Sequence, residues 1–224
     1  MGLVIHAVHY TLVIGGLVGV ALLLLPQLAG ARAPRTPLEQ RIADLRYTAS
    51  AGMLGTGVVM THRPQIRPAP IPSATWLPVA VVASATAAGV HAAVGPSHLE
   101  EGLLIGGFFV LSSMGQLAWA ALALRRTTHA LLHAGLAGNL ICIALWFVSR
   151  TVGLPFTGVE PVGAWDLAAV ISEATVVVAC LHNLSTGAAE TAVAPWARWS
   201  WISRAWLVGS VVALGVLTVT GPGA

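Results

Sequence analysis

HAAVGPSHLEEGLLIGGFFVLSSMGQ, residues 91–116, sets two histidines and two carboxylates into a short polar stretch between two long apolar runs. Its Gly95-Pro96 pair predicts a turn that ends the first run, and Ser97 is a ready cap for the next helix. His98, Glu101, Ile105, Ser112 and Gln116 then recur at about helical spacing along one side of that second helix. Polar groups at the end of a membrane helix cost little, whereas a polar stripe continuing inward to Gln116 needs partners inside a bundle.

The flanking runs are representative of the whole chain. Of 224 residues, 56% are hydrophobic and 8% charged, too few charges for the surface of a water-soluble domain. Six runs reach the roughly 20 apolar residues that a membrane span requires: about 3–28, 75–95, 101–124, 128–149, 164–182 and 203–220. The expected fold is all-α, a single polytopic domain over residues 1–224 built as a six-transmembrane-helix bundle. Between the first two spans, the segment 30–74 carries Leu38, Ile42, Leu45, Ala49 and Met53 at a helical period. That pattern predicts an amphipathic helix lying on the cytoplasmic membrane surface.

Eleven arginines oppose eight acids, for a net charge of +3, and there is no lysine, which excludes lysine chemistry such as a retinal Schiff base. The basic excess has a topological explanation and does not point to nucleic acid. With the N-terminus and the C-terminus outside, Arg32, Arg35, Arg41, Arg46, Arg63, Arg67, Arg125, Arg126, Arg198 and Arg204 share the cytoplasmic side, and only Arg150 lies outside. A seventh span at 47–61 would scatter them over both faces. Trp196, Trp199, Trp201 and Trp206 belt the cytoplasmic start of the last span, and Trp146 and Trp165 lie near outer ends. The first run starts at Leu3 without a basic leader, so it is expected to remain as a membrane helix in a bacterial cytoplasmic membrane. Cys142 and Cys180 lie inside apolar runs and read as small hydrophobes rather than a disulfide. Lipid is the expected surrounding, with other membrane subunits or a second copy of the chain as protein partners.

On this topology the histidines divide by membrane face. His6, His9, His91 and His98 lie toward the outside; His62, His129, His133 and His182 lie toward the inside. The pairs His6/His9 and His129/His133 each share one helix face, the spacing by which a helix offers two imidazoles to one metal. A half-polar ring also suits the membrane interface, which is the competing reading. Glu101 beside His98 adds a carboxylate, a donor set that suits copper or zinc better than magnesium. Arg150, as the sole outer arginine, is expected to pair with Glu160 or Asp166 across the loop that follows the fourth span. Glu173 lies seven residues beyond Asp166, two helical turns or about 10 Å further into the membrane. A carboxyl at that depth must face the bundle interior, and Gln116 and Asn139 lie at similar depth to receive it. The three either glue helices together or handle a proton or ion.

Two motifs carry a resemblance: H-x6-H-x2-E-x6-FF-x6-Q-x2-WA from His91 to Ala120, and N-x5-LWFVSRTVGLPF-x3-EPVG-x2-D-x6-E from Asn139 to Glu173. Together they resemble a group of small multi-pass membrane proteins of high-GC, actinobacterial-type bacteria, for which no activity is established. The likeness singles out His98, Glu101, Gln116, Arg150, Asp166 and Glu173 as a polar signature and implies no mechanism. Three functions follow from the residues. The first is binding of copper or zinc by His6, His9, His91, His98 and Glu101 at the outer face, for metal transport or as an accessory to a metalloenzyme. The second is a di-haem b-type cytochrome, with His129, His133 and His182 among the inner ligands, for electron transfer across the membrane. The third is a structural or assembly subunit without a ligand.

Overall fold

A computed structural model describes residue 42 and residues 71–155, 158–186 and 191–220. Strand β1 (Ile71–Ser73) leads into helix α1 (Trp76–Glu101), followed by α2 (Leu103–Arg125), α3 (His129–Thr151) and α4 (Ala164–Ser185). Strand β2 (Thr191–Val193), a 3-10 turn (Trp196–Arg198) and α5 (Trp201–Thr220) complete the described chain. All five helices are long and apolar enough to cross a membrane. Their outward faces are apolar as well: Leu103, Leu111, Phe147 and Val219 are 85%, 71%, 60% and 76% exposed. Side chains of that kind on the outside of a packed bundle fit lipid as the solvent. The sixth expected span, 3–28, and the expected amphipathic helix of 30–74 lie outside the described residues, apart from the helical Ile42.

Helix α1 is the hub. It packs against α2, α4 and α5, while α3 packs chiefly on α4. Because it is enclosed on nearly every side, its small residues line up against neighbours rather than lipid: Ala80, Ala83, Ser84, Ala87 and Ala88 are all buried. Lipid gives no hydrophobic drive for two apolar helices to associate, so close approach and interhelical hydrogen bonds have to supply it. Both are present in the α1–α2 hairpin. Ser84 Oγ donates to the Gln116 carbonyl and Ser113 Oγ to the Ala88 carbonyl, each at 2.9 Å. At its tip, a Cβ on Gly106 would fall 2.6 Å from the Leu99 Cα. Between α2 and α3, the Trp119 indole covers Gly135 and donates to the Leu131 carbonyl at 2.7 Å.

The helix starts are capped locally. Thr128 Oγ1 accepts from the Leu131 amide at the start of α3, and Asp166 Oδ2 accepts from the Gly163 amide at the start of α4. At the end of the bundle where α1 and α5 begin, β1 and β2 pair in parallel, Ile71 with Thr191 and Ser73 with Val193. Ser203 Oγ, fully buried, donates to the Ala74 and Thr75 carbonyls and so ties the start of α5 to the start of α1. Trp199, 4% exposed, donates to the Ala194 carbonyl beneath them. Nothing in the Pro-rich approach to α1 foretold this ribbon, since three-residue strands carry no readable periodicity.

One expectation is overturned. The first described helix does not end at Gly95-Pro96; it runs on through Pro96 to Glu101, and the break falls at Gly102. Proline removes only one backbone donor, and a membrane helix can absorb that loss. Ser97, expected to cap the following helix, instead donates back to the Val94 carbonyl at 2.7 Å within the continuing helix. Gly102 adopts φ 156 and ψ 153, a conformation closed to residues with a Cβ, so the chain reverses there. His98 and Glu101 therefore belong to the end of α1 and not to the inward stripe of α2.

Candidate functional site

Moving the helix end from residue 95 to residue 101 changes the depth of His91. It now lies ten residues before the end of α1, roughly 15 Å along the axis. Glu173 lies nine residues inside the start of α4, roughly 14 Å from the same end of the bundle. Equal depth brings them into contact: His91 Nε2 is 3.3 Å from Glu173 Oε1. Both are buried, at 5% and 1% exposure.

The same carboxyl oxygen accepts from Gln116 Nε2 of α2 at 3.2 Å. Gln116 Nε2 also reaches Asn139 Oδ1 of α3 at 3.4 Å, and Asn139 Nδ2 donates to the Gly135 carbonyl at 2.7 Å. The Cys142 thiol, itself 3.9 Å from Ser112 Oγ, is a further neighbour of Glu173. Four helices thus each direct a polar side chain to one point in an otherwise apolar bundle. Among the described residues, His91 Nδ1 and Gln116 Oε1 are buried there without a hydrogen-bond partner.

His91, Cys142 and Glu173 of this cluster form the floor of a cavity of about 340 Å³, with Gln116 and Asn139 behind them. Its walls are apolar and aromatic, with Val94, Phe108, Phe109, Leu145, Trp146 and Trp165 among the lining residues. At its mouth, Arg150 bridges two acids: its Nη1 donates to Glu160, and its Nη2 to Asp166 Oδ1 at 2.7 Å. The Arg150 side chain is only 12% exposed, so this pair of contacts anchors the loop between α3 and α4 over the cavity. His98 lies at the rim, stacked on Phe109 with ring centroids 4.3 Å apart, and its Nδ1 meets Glu101 Oε2 at 2.9 Å. The His91 ring meets the other side of that pattern, edge-on to Phe109 at 5.7 Å.

The structure therefore brings together Glu173, Gln116 and Asn139 in one group and Arg150, Glu160 and Asp166 in another, with His91 and His98 between them on α1. The described inner histidines have other partners: His133 Nδ1 donates to the His129 carbonyl at 2.7 Å, and the His182 ring lies tilted against Trp76 with centroids 4.6 Å apart, while His62 lies outside the described residues. His6 and His9 lie outside the described residues. Among the described residues, no group of three or more His, Cys, Asp or Glu side chains is close enough to hold a metal ion. Sequence reasoning missed the His91–Glu173 contact because a break at Gly95-Pro96 leaves His91 only a turn from the surface. The usable signal was depth, counted from Glu101 on one helix and from Ala164 on the other.

The described cysteines are both free thiols. No family model, no curated protein and no solved structure matches the chain, so what classifies it is its own architecture: a multi-pass membrane protein with five candidate helical spans among the described residues.

Proposed function

We propose that this chain is a transport-type membrane protein that takes a small, largely apolar ligand into the α1–α4 cavity and couples its binding to proton occupancy of the His91–Glu173 pair. One observation carries the reading: a buried carboxyl and imidazole in contact form the floor of a cavity whose walls are apolar and whose mouth is charged. Structural glue needs no cavity beside it. Intramembrane ionisable groups on a pathway do, because ligand and proton must reach them from water. A volume of about 340 Å³ suits a small organic molecule.

Orientation follows from charge. Arg125, Arg126, Arg198 and Arg204 gather at the end where α1, α3 and α5 begin, and Arg150 stands at the other, so the positive-inside rule sets the cavity mouth on the outer side. With the first run of the chain as a further span, both termini lie outside. Cysteines introduced near Arg126 should then be labelled only from the cytoplasmic side.

Infrared spectroscopy of the purified protein in lipid tests the main reading. A carboxyl C=O band that responds to pH and disappears in Glu173→Gln is the expected result, together with a small molecule recovered from wild-type protein by extraction. A band unaffected by Glu173→Gln, with an empty extract, would refute it.

A second reading is favoured by the rim. His98 gives its Nδ1 edge to Glu101, the arrangement by which a carboxylate orients an imidazole for metal binding through Nε2. On that reading His98 and Glu101, with His6 and His9 of the first run, take copper or zinc at the outer face, and His91, held at the floor against Glu173, is not a ligand. Metal analysis of His98→Ala against wild type, with an absorption spectrum to score haem b, decides between them.

A further inference from the structure

Among the described residues the charges around the cavity do not balance. One described guanidinium, Arg150, faces three carboxyls that line the same space: Glu160 and Asp166 at the mouth and Glu173 at the floor. Arg150 is bonded to both mouth acids, which among the described residues leaves one of them without a counter-charge and Glu173 beside neutral amides, a thiol and His91. Uncompensated negative charge next to apolar walls is expensive, and protons or a bound cation have to settle it.

The walls agree in sign. Phe108, Phe109, Trp146 and Trp165 present aromatic rings to the cavity, and ring faces attract a cation once water is displaced. His91 adds to this. When Glu173 is ionised, the proton of a neutral His91 belongs on Nε2, the nitrogen 3.3 Å from Oε1, so the Nδ1 edge, buried and without a partner among the described residues, carries a lone pair. It is an acceptor that reinforces the negative potential.

We propose that the ligand of this cavity is a small lipophilic organic cation, and that it exchanges with the proton on the His91–Glu173 pair. The inference rests on the proton-coupled reading above and adds the ligand's charge. In the empty site a proton neutralises the Glu173 carboxyl. On binding, the cation lies against the Phe108 ring beside that carboxylate, and the proton leaves through the mouth past Arg150, Glu160 and Asp166. The groups that face Glu173 and set the exchange are His91 from α1, Gln116 from α2, Asn139 and Cys142 from α3, and Asp166 further along its own helix. No bond to carbon forms or breaks. One positive charge enters as one leaves, which keeps the buried site at constant charge.

N-methyl-4-phenylpyridinium and its uncharged isostere 4-methylbiphenyl are suitable probes, titrated into the full-length protein in lipid nanodiscs by calorimetry in two buffers of different ionisation enthalpy. The expected result is binding of the pyridinium with release of about one proton and at least tenfold preference over the biphenyl. Glu173→Gln, which keeps the shape and hydrogen bonds of the floor, should weaken pyridinium binding at least tenfold and abolish proton release. Phe108→Leu should weaken the pyridinium several-fold and spare the biphenyl. Equal or tighter binding of the biphenyl, or unchanged pyridinium affinity in Glu173→Gln, overturns the proposal. So does absence of pyridinium binding while the pH-responsive Glu173 carboxyl band is intact, a result that leaves the proton-coupled reading standing. Loss of that band removes both.

Discussion

Replacing Glu173 by leucine tests whether the floor of the cavity holds the bundle together. The side chain is 1% exposed and takes contacts from two other helices, His91 Nε2 of α1 at 3.3 Å and Gln116 Nε2 of α2 at 3.2 Å. Interhelical hydrogen bonds in membranes contribute about 0.6 kcal/mol on average and about 1.7 at most. The Gln116 bond and the His91 contact, each taken at that scale, amount together to about 1–3 kcal/mol. Leucine is a better membrane residue than glutamate, which offsets part of this, so the upper half of the range requires that His91 and Gln116 find no new partner. Asn139 already holds Gln116 at 3.4 Å, but among the described residues Glu173 is the one polar side chain in contact with His91. Glu173→Gln keeps an acceptor at Oε1 and should cost under about 1 kcal/mol. The assay is thermal unfolding in one detergent, reading midpoints of wild type, Gln and Leu variants, with His91→Leu combined with Glu173→Leu to close a cycle. The double variant should cost less than the sum of the two single changes, because the second removes an imidazole already orphaned by the first. A leucine variant as stable as wild type, with strictly additive effects in the double variant, would refute the contact network as described.

Gly135→Ala should cost about 1–3 kcal/mol from overpacking, because its new Cβ would lie 2.5 Å from the Trp119 indole nitrogen, and the penalty should shrink in a Trp119→Leu background. Gly102→Ala should cost about 1–3 kcal/mol through backbone strain alone, since nothing lies within 4 Å of the added methyl; Gly102→Asn should bring no relief, as φ 156 is not the left-handed helical region asparagine tolerates. Thermal unfolding checks both. Arg150→Lys should recover little of the stability lost in Arg150→Ala, because one ammonium cannot replace a planar fork bonded to two separate acids; limited proteolysis of the loop between α3 and α4 would register the difference.

Hydropathy alone determined that this chain lives in a bilayer and where most of its spans lie, because transfer free energy depends on composition over some twenty residues and not on neighbours. The starts and ends of α3 and α4 came within a few residues of expectation for that reason. Depth counting also put Glu173, Gln116 and Asn139 at one level, and loop position put Arg150 beside Glu160 and Asp166; rise per residue is a local property. Helix continuity at Gly95-Pro96 was a tertiary decision. The proline removes one donor in any context, but whether the chain turns there depends on what encloses it, and α1 is surrounded by α2, α4 and α5. That choice moved His91 from the rim to the floor and His98 from α2 to the end of α1. The parallel β1–β2 pairing was likewise beyond sequence reading, since it joins residues 120 apart through hydrogen bonds that only the packed helix starts bring into register. Which helix neighbours which is set by small residues, Gly106 on Leu99 and Gly135 beneath Trp119, whose effect exists only once another helix arrives.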